Sequence, residues 1–201
     1  METALRRRMP ELWSLLERWV GINSFTGNIA GCNAMADELD AAFALPGLTA
    51  QSLAPGAARH VVYQTERYRA GARNVVLLGH HDTVFPPGTF EQFRRDEHNV
   101  YGPGVLDMKG GLLVMRTALA VLADIGELAG LGLAVVSVSD EETGSVAGQA
   151  VIEAVAHGAR AALVFEAGRQ ADAIVVARKG TGKLHVNVIG RAAHAGNDLS
   201  A

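Results

Sequence analysis

The chain has 201 residues, 49% of them hydrophobic and only 5% aromatic, with a formal net charge of −3. That is one domain of comfortable size or one and a fraction, with apolar residues enough to bury a core, so a disordered chain is excluded. The balance offers no basic footprint for nucleic acid or an anionic membrane, no run approaches the about 18 apolar residues of a membrane span, and a single Cys32 rules out a disulfide framework.

In chain order, residues 10–20 put Leu12, Leu15, Leu16 and Val20 on one helical face, with Pro10 read as lying near the helix start. Arg6-Arg7-Arg8 is followed by Pro10, Glu11 and Glu17 rather than by a signal-peptide core, so a cytoplasmic protein is the default expectation. A turn at 23–28 leads to a helix over about 29–43, closed by Pro46-Gly47. Residues 48–74 read as two modest strands, and 74–79 as a buried strand. Residues 91–99 are polar and expected to be exposed. A Gly-rich turn at Gly102–Asp107 precedes a buried helix from Met108 to Ile125. A second buried strand is expected at 133–139, a helix at 145–157 with Gly158 as its cap, and a third strand at 161–166. Two further strands, 173–178 and 183–189, are expected to flank Lys179-Gly180-Thr181-Gly182. The alternation of strand and helix predicts an α/β protein with a mostly parallel sheet flanked by helices.

Chemistry-bearing residues gather where the apolar runs end. Val75–Leu78 empties into Gly79-His80-His81-Asp82, Leu133–Val138 into Asp140-Glu141-Glu142, and Ala161–Phe165 into Glu166. In an open α/β sheet, ligands sit outside the carboxyl ends of strands. Taken singly, each cluster has an ordinary explanation as a cap, a turn or a solvated loop; taken together and in this order, they point to one metal site. His80 can bind an ion, with Asp82 orienting its imidazole. Asp107, behind two glycines that leave backbone room, can bridge two ions, and Glu142 and Glu166 can complete the ligand sets. Glu141 can stay off the metal and act as general base. Gly102-x-Gly104 and Gly180-Thr181-Gly182-Lys183 complete neither a dinucleotide fingerprint nor a phosphate loop.

The stretches Gly79–Val84, Gly102–Gly111, Ser139–Ser145 and Phe165-Glu166 resemble the successive signatures of a di-zinc metallopeptidase family. That family includes glutamate carboxypeptidase, acetylornithine deacetylase, succinyl-diaminopimelate desuccinylase and aminoacylase; the glutamate carboxypeptidase branch is the nearest match. The resemblance implies a zinc-exopeptidase-like catalytic domain over 1–177 and, over 178–201, the beginning of an α+β lid or dimerisation domain. It implies two zinc ions, with cobalt or manganese as substitutes, held by His80, Asp107, Glu142 and Glu166. It further implies an Asp82 clamp on His80, a cis peptide bond from Asp107 to Met108, and Glu141 as general base. Gly190–Gly196 resembles the lid turn whose histidine, here His194, polarises the scissile carbonyl, often across a dimer. His81 stands at a variable position of the motif.

The family's last histidine ligand has no counterpart in the 201 residues, so a truncated chain is expected, one zinc short of a ligand. The implied activity is hydrolysis of amide bonds in N-acyl amino acids or small peptides by water activated at the metal pair, in a protein that pairs as a homodimer at full length and takes no nucleic-acid or membrane partner. The rival expectation is an inactive fragment or pseudoenzyme serving as an interaction module.

Overall fold

A computed structural model describes residues 2–53, 58–168, 173–180, 182, 184–187 and 189–190. The chain divides into two compact units, Met1–Ala167 and Gly168–Ala201. The first opens with helices α1 (Glu2–Gly21) and α2 (Ile29–Ala42), then strands β1 (Leu48–Leu53), β2 (His60–Thr65) and β3 (Val75–His80). A short hairpin of β4 (Arg94–Arg95) and β5 (Val100–Tyr101) follows, then α3 (Gly110–Asp124), β6 (Leu133–Val138), α4 (Gly148–Ala156) and β7 (Ala161–Val164).

Five strands form one sheet in the order β1-β2-β6-β3-β7. β3 pairs in parallel with β6 and β7, while β2 runs antiparallel to both β1 and β6. Every strand but β2 therefore points the same way, the mostly parallel α/β sheet the sequence predicts. β6 lies at the centre and is buried along its whole length, which is why it reads as an unbroken apolar run rather than an alternating one. Its Leu133 and Val135 face one layer, with Leu12, Leu16 and Trp19 of α1, Met35 and Leu39 of α2, and Leu112 and Met115 of α3. Ala134, Val136 and Val138 face the other, against Val151 and Val155 of α4. Crossovers on both faces of the sheet bring the ends of β3, β6 and β7 to one side.

Several boundaries differ from expectation. α1 begins at Glu2, so Pro10 lies inside the helix rather than near its start. A proline inside a helix gives up its own N–H bond and crowds the carbonyl four residues back, but the Arg6–Arg8 stretch, made of good helix formers, carries the helix through; Arg8 also pairs with Asp124 at the end of α3. α4 starts later than expected because Ser145 holds φ +52°, and the Asp140 carboxylate receives the N–H groups of Ala147 at 2.7 Å and Gly148 at 3.2 Å. Within 91–99 the chain is exposed but not featureless. Asp96 accepts from the His98 and Asn99 N–H groups to close the β4–β5 turn.

In the second unit, the expected strands at 173–178 and 183–189 do not form among the described residues. A strand exists through a neighbour that shares its ladder, and Ile174, Val176, Leu184 and Ile189 are each at least 85% exposed. No helix among the described residues is long and apolar enough to cross a membrane.

Lys109 ties α1 to the turn before α3. It is 1% exposed, and its Nζ donates to the carbonyls of Trp19 and Ile22, both at 2.8 Å. Burial pushes the amine down to about 7, and in either protonation state it keeps hydrogens for both carbonyls. Lys109→Met keeps the stem and leaves both acceptors unpaired, so it is expected to lower stability by about 2–4 kcal/mol in urea unfolding. An unchanged midpoint would show that water takes over the two carbonyls.

Candidate metal centre

The centre is built from the end of β3 outward. Gly79 precedes it because Met108 packs there: a Cβ at Gly79 would stand 2.7 Å from Met108 Cε. Met108 Sδ in turn accepts the His80 main-chain N–H at 3.1 Å. Past His80 the chain leaves the sheet to pair with the α1–α2 turn, Thr83 N–H donating to Ser24 O at 2.8 Å and Thr26 N–H to Thr83 O at 3.1 Å.

That detour buries Asp82 completely and surrounds it with donors. Oδ2 accepts the Thr26 hydroxyl at 2.7 Å and the Glu142 N–H at 3.2 Å, and Oδ1 accepts the Glu141 N–H at 3.1 Å. Oδ1 also lies 3.2 Å from His80 Nδ1. Burial alone would raise the Asp82 carboxyl, but the hydrogen bonds from His80 and Thr26 outweigh it and hold it below the usual carboxylate range.

With Nδ1 engaged by Asp82, the other nitrogen of His80 faces a ring of carboxylates. Nε2 lies 3.0 Å from Asp107 Oδ1, 3.3 Å from Glu166 Oε1 and 3.9 Å from Glu141 Oε2. Burial disfavours the charged ring, yet the hydrogen bonds and charges of Asp82 and Glu166 prevail and lift His80 to about 11. Glu166 moves the other way, lowered by its hydrogen bond to His80. Glu142 is pushed up to about 7, first by burial and then by the charge of Asp107; Glu141 is also raised, by burial and by Glu166.

Asp107 reaches this point on a wide turn, Val105–Lys109, entered through Gly104 at φ +76°. A Cβ at Gly104 would sit 3.0 Å from Lys109 and from Thr83, so both the conformation and the space call for glycine. The Asp107–Met108 peptide bond is cis, as the resemblance implies.

His80, Asp107 and Glu166 offer one donor atom each within 4.8 Å of one another. Donors around a tetrahedral ion bound at about 2.0–2.1 Å stand about 3.4 Å apart, close to the 3.0 and 3.3 Å found at His80. One imidazole with several carboxylates suits zinc, cobalt or manganese, so the residues fit the metal the sequence implies. Of the residues singled out in the sequence, the structure brings His80, Asp82, Asp107, Glu141 and Glu166 together. Glu142 shares their loop and feels the charge of Asp107, but it lies outside the three-donor group. His194 lies outside the described residues. Asp140 is occupied in capping α4. Thr26 escaped the sequence reading: a threonine in a polar turn carries no signal of the aspartate it will meet.

A sheet with its polar donors at the ends of parallel strands, around one buried histidine, defines an α/β protein with a candidate metal centre. The model of Peptidase family M20/M25/M40 matches residues 76–190, and the chain belongs to that family. It is similar to carboxypeptidase G2 of Pseudomonas sp., 30% identical over 193 residues, which cover 93% of this chain and 46% of the relative. Succinyl-diaminopimelate desuccinylase of Methylobacterium nodulans is 38% identical over 81 residues, 36% of this chain and 20% of that one. Among solved structures, human carnosine dipeptidase 1 superposes with a TM-score of 0.65 at 16% identity, over 81% of this chain and 39% of that chain, which shows a shared fold. The chain thus spans less than half the length of these relatives.

Proposed function

We propose that the chain carries the metal-binding part of a hydrolase that cleaves amide bonds in N-acyl amino acids or small peptides. The observation that supports this best is the three-donor group His80, Asp107 and Glu166 with Glu141 beside it. His80, Asp107, Glu142 and Glu166 would hold the ions, with Glu166 supplied by the chain just past the end of β7. Two zinc ions in such a site supply Lewis acidity to the substrate carbonyl and make a water acidic near neutral pH. Glu141 takes the proton of the attacking water and hands it to the leaving amine. Asp82 fixes the His80 ring so that Nε2 stays directed into the site. His194, by family resemblance, donates to the carbonyl oxygen from the region after residue 178, the region through which two copies would pair. The relatives named carboxypeptidase and desuccinylase favour a substrate with a free carboxylate beside the scissile bond.

The test is metal content per chain for the wild type and for Glu166→Ala, with hydrolysis of a panel of N-acyl glutamates. Bound zinc that Glu166→Ala loses supports the site; a wild type that takes up no zinc overturns it.

Zinc uptake is expected to expel protons, because Nε2 of His80 must be bare to bind. With His80 at about 11 and Glu142 at about 7 in the free protein, binding at pH 7 should release about one proton from the ring and about half of one from the carboxyl. Apparent affinity should then rise about tenfold or more per pH unit. Titration calorimetry in buffers of different ionisation enthalpy measures the release, and none at all would mean that His80 is not a ligand.

A further inference from the structure

We infer that His60 is a positioning residue for the turn that carries Glu141 and Glu142; the inference rests on the metal-centre reading only for its effect on zinc affinity. His60 stands at the start of β2, 1% exposed. Its Nδ1 accepts the main-chain N–H of Ser139 at 3.1 Å and lies 3.2 Å from the Ser139 hydroxyl, which also reaches Ala58 O at 3.2 Å. A main-chain N–H can only donate. Nδ1 therefore presents its lone pair, and the hydrogen of the neutral ring is on Nε2.

Among the described residues that Nε2 has no hydrogen-bond partner although it is buried. An unpaired buried N–H is a penalty that an aliphatic side chain would avoid, so packing does not explain a histidine here; the acceptor at Nδ1 does. The β2–β6 ladder has its last pair at Val61 and Ser137. Beyond it, the His60 ring takes the place of the next main-chain acceptor and holds the strand in line up to Ser139. Asp140, Glu141 and Glu142 follow at once.

The turn is thus fixed at three points. His60 holds its entry, Asp82 receives the N–H groups of Glu141 and Glu142, and Asp140 ties its exit to the first residues of α4. On the other side of β6, His81 Nδ1 lies 3.0 Å from the Ser137 hydroxyl. Releasing His60 leaves the entry to the β3 side alone, where the His81 N–H donates to Val138 O at 2.9 Å, and loosens the start of the turn that Asp82 and α4 hold further on.

Three substitutions separate positioning from bulk. In His60→Asn the amide oxygen is bonded to Cγ, as Nδ1 is, and keeps the acceptor in place. In His60→Gln the acceptor moves one bond further out, and in His60→Leu it is gone. Amide hydrogen exchange of the metal-free protein, read by NMR at Ser139, Glu141 and Glu142, is expected to quicken about tenfold or more in the Gln and Leu variants and to stay near wild type in Asn. Zinc affinity by chelator competition should fall about 10–100-fold in Gln and Leu and recover in Asn. Unchanged exchange at these amides in Gln and Leu would overturn the inference, as would an acceleration in Asn equal to theirs. If the Leu variant does not fold, the Asn and Gln pair decides. A wild type that binds no zinc would sink the functional reading and leave the exchange result standing.

Discussion

On the function proposed above, Glu141→Gln is expected to leave zinc affinity near its wild-type value and to lower amide hydrolysis by about 10²–10⁴-fold. Glu141 is the most distant of the three carboxylates that face His80 Nε2, at 3.9 Å against 3.0 Å for Asp107 and 3.3 Å for Glu166. Its side chain is 48% exposed. Its carboxyl is raised by burial and by Glu166, the direction that improves a base near neutral pH. Glutamine keeps the shape and the main-chain N–H that Asp82 receives, so only the proton-accepting oxygen is lost. Turnover of an N-acyl glutamate and zinc per chain, measured on the same preparation, check this. A loss of zinc that tracks the loss of activity would place Glu141 among the ligands instead.

The second large effect is expected at Asp107. Asp107→Ala should weaken zinc binding by more than the about 10–100-fold that losing an orienting partner brings, because it removes a donor atom itself. It should also let Glu142 fall back toward the usual carboxylate range, since the charge of Asp107 helps hold it near about 7. Asp140→Ala is the control. Asp140 caps α4 through Ala147 and Gly148, so its loss should lower stability by about 1 kcal/mol and, because it frees one anchor of the turn without removing a donor atom, cost less zinc affinity than Asp107→Ala. Chelator competition and urea unfolding of the two variants separate the roles; equal zinc loss in both would mean that the acids act only through summed charge.

The residues that were legible from sequence share a property: each lies where an apolar run stops. Leu133–Val138 could be read as a central strand because burial on both faces leaves no polar alternation to confuse it, and the same logic placed His80 and Glu166 at strand ends. The cis bond after Asp107 came with the motif, not from any local preference of Asp or Met. What was illegible depends on which segments meet in space. Thr26 finds Asp82, and His60 finds Ser139, across 56 and 79 residues of chain. A pattern confined to one window contains neither partner. Pro10 points to a helix start because proline signals a beginning more often than a middle, whereas α1 begins at Glu2. The apolar alternation at 173–189 announces a strand, but alternation describes a face, and a ladder needs a neighbour as well.

The donors His80, Asp107 and Glu166 come from three separate parts of the chain, brought together only by the order β6-β3-β7 and the turn before α3. An ion bound to all three is a cross-link that closes loops of several tens of residues, and no unfolded chain offers the same three atoms at once. Binding to the folded form alone adds stability with the logarithm of free ligand, about 2.7 kcal/mol at one hundred times the dissociation constant. With zinc bound as proposed, the robustness of this chain would depend on the metal buffering of its surroundings as well as on its core, and a scarcity of zinc would be felt first as a softer protein.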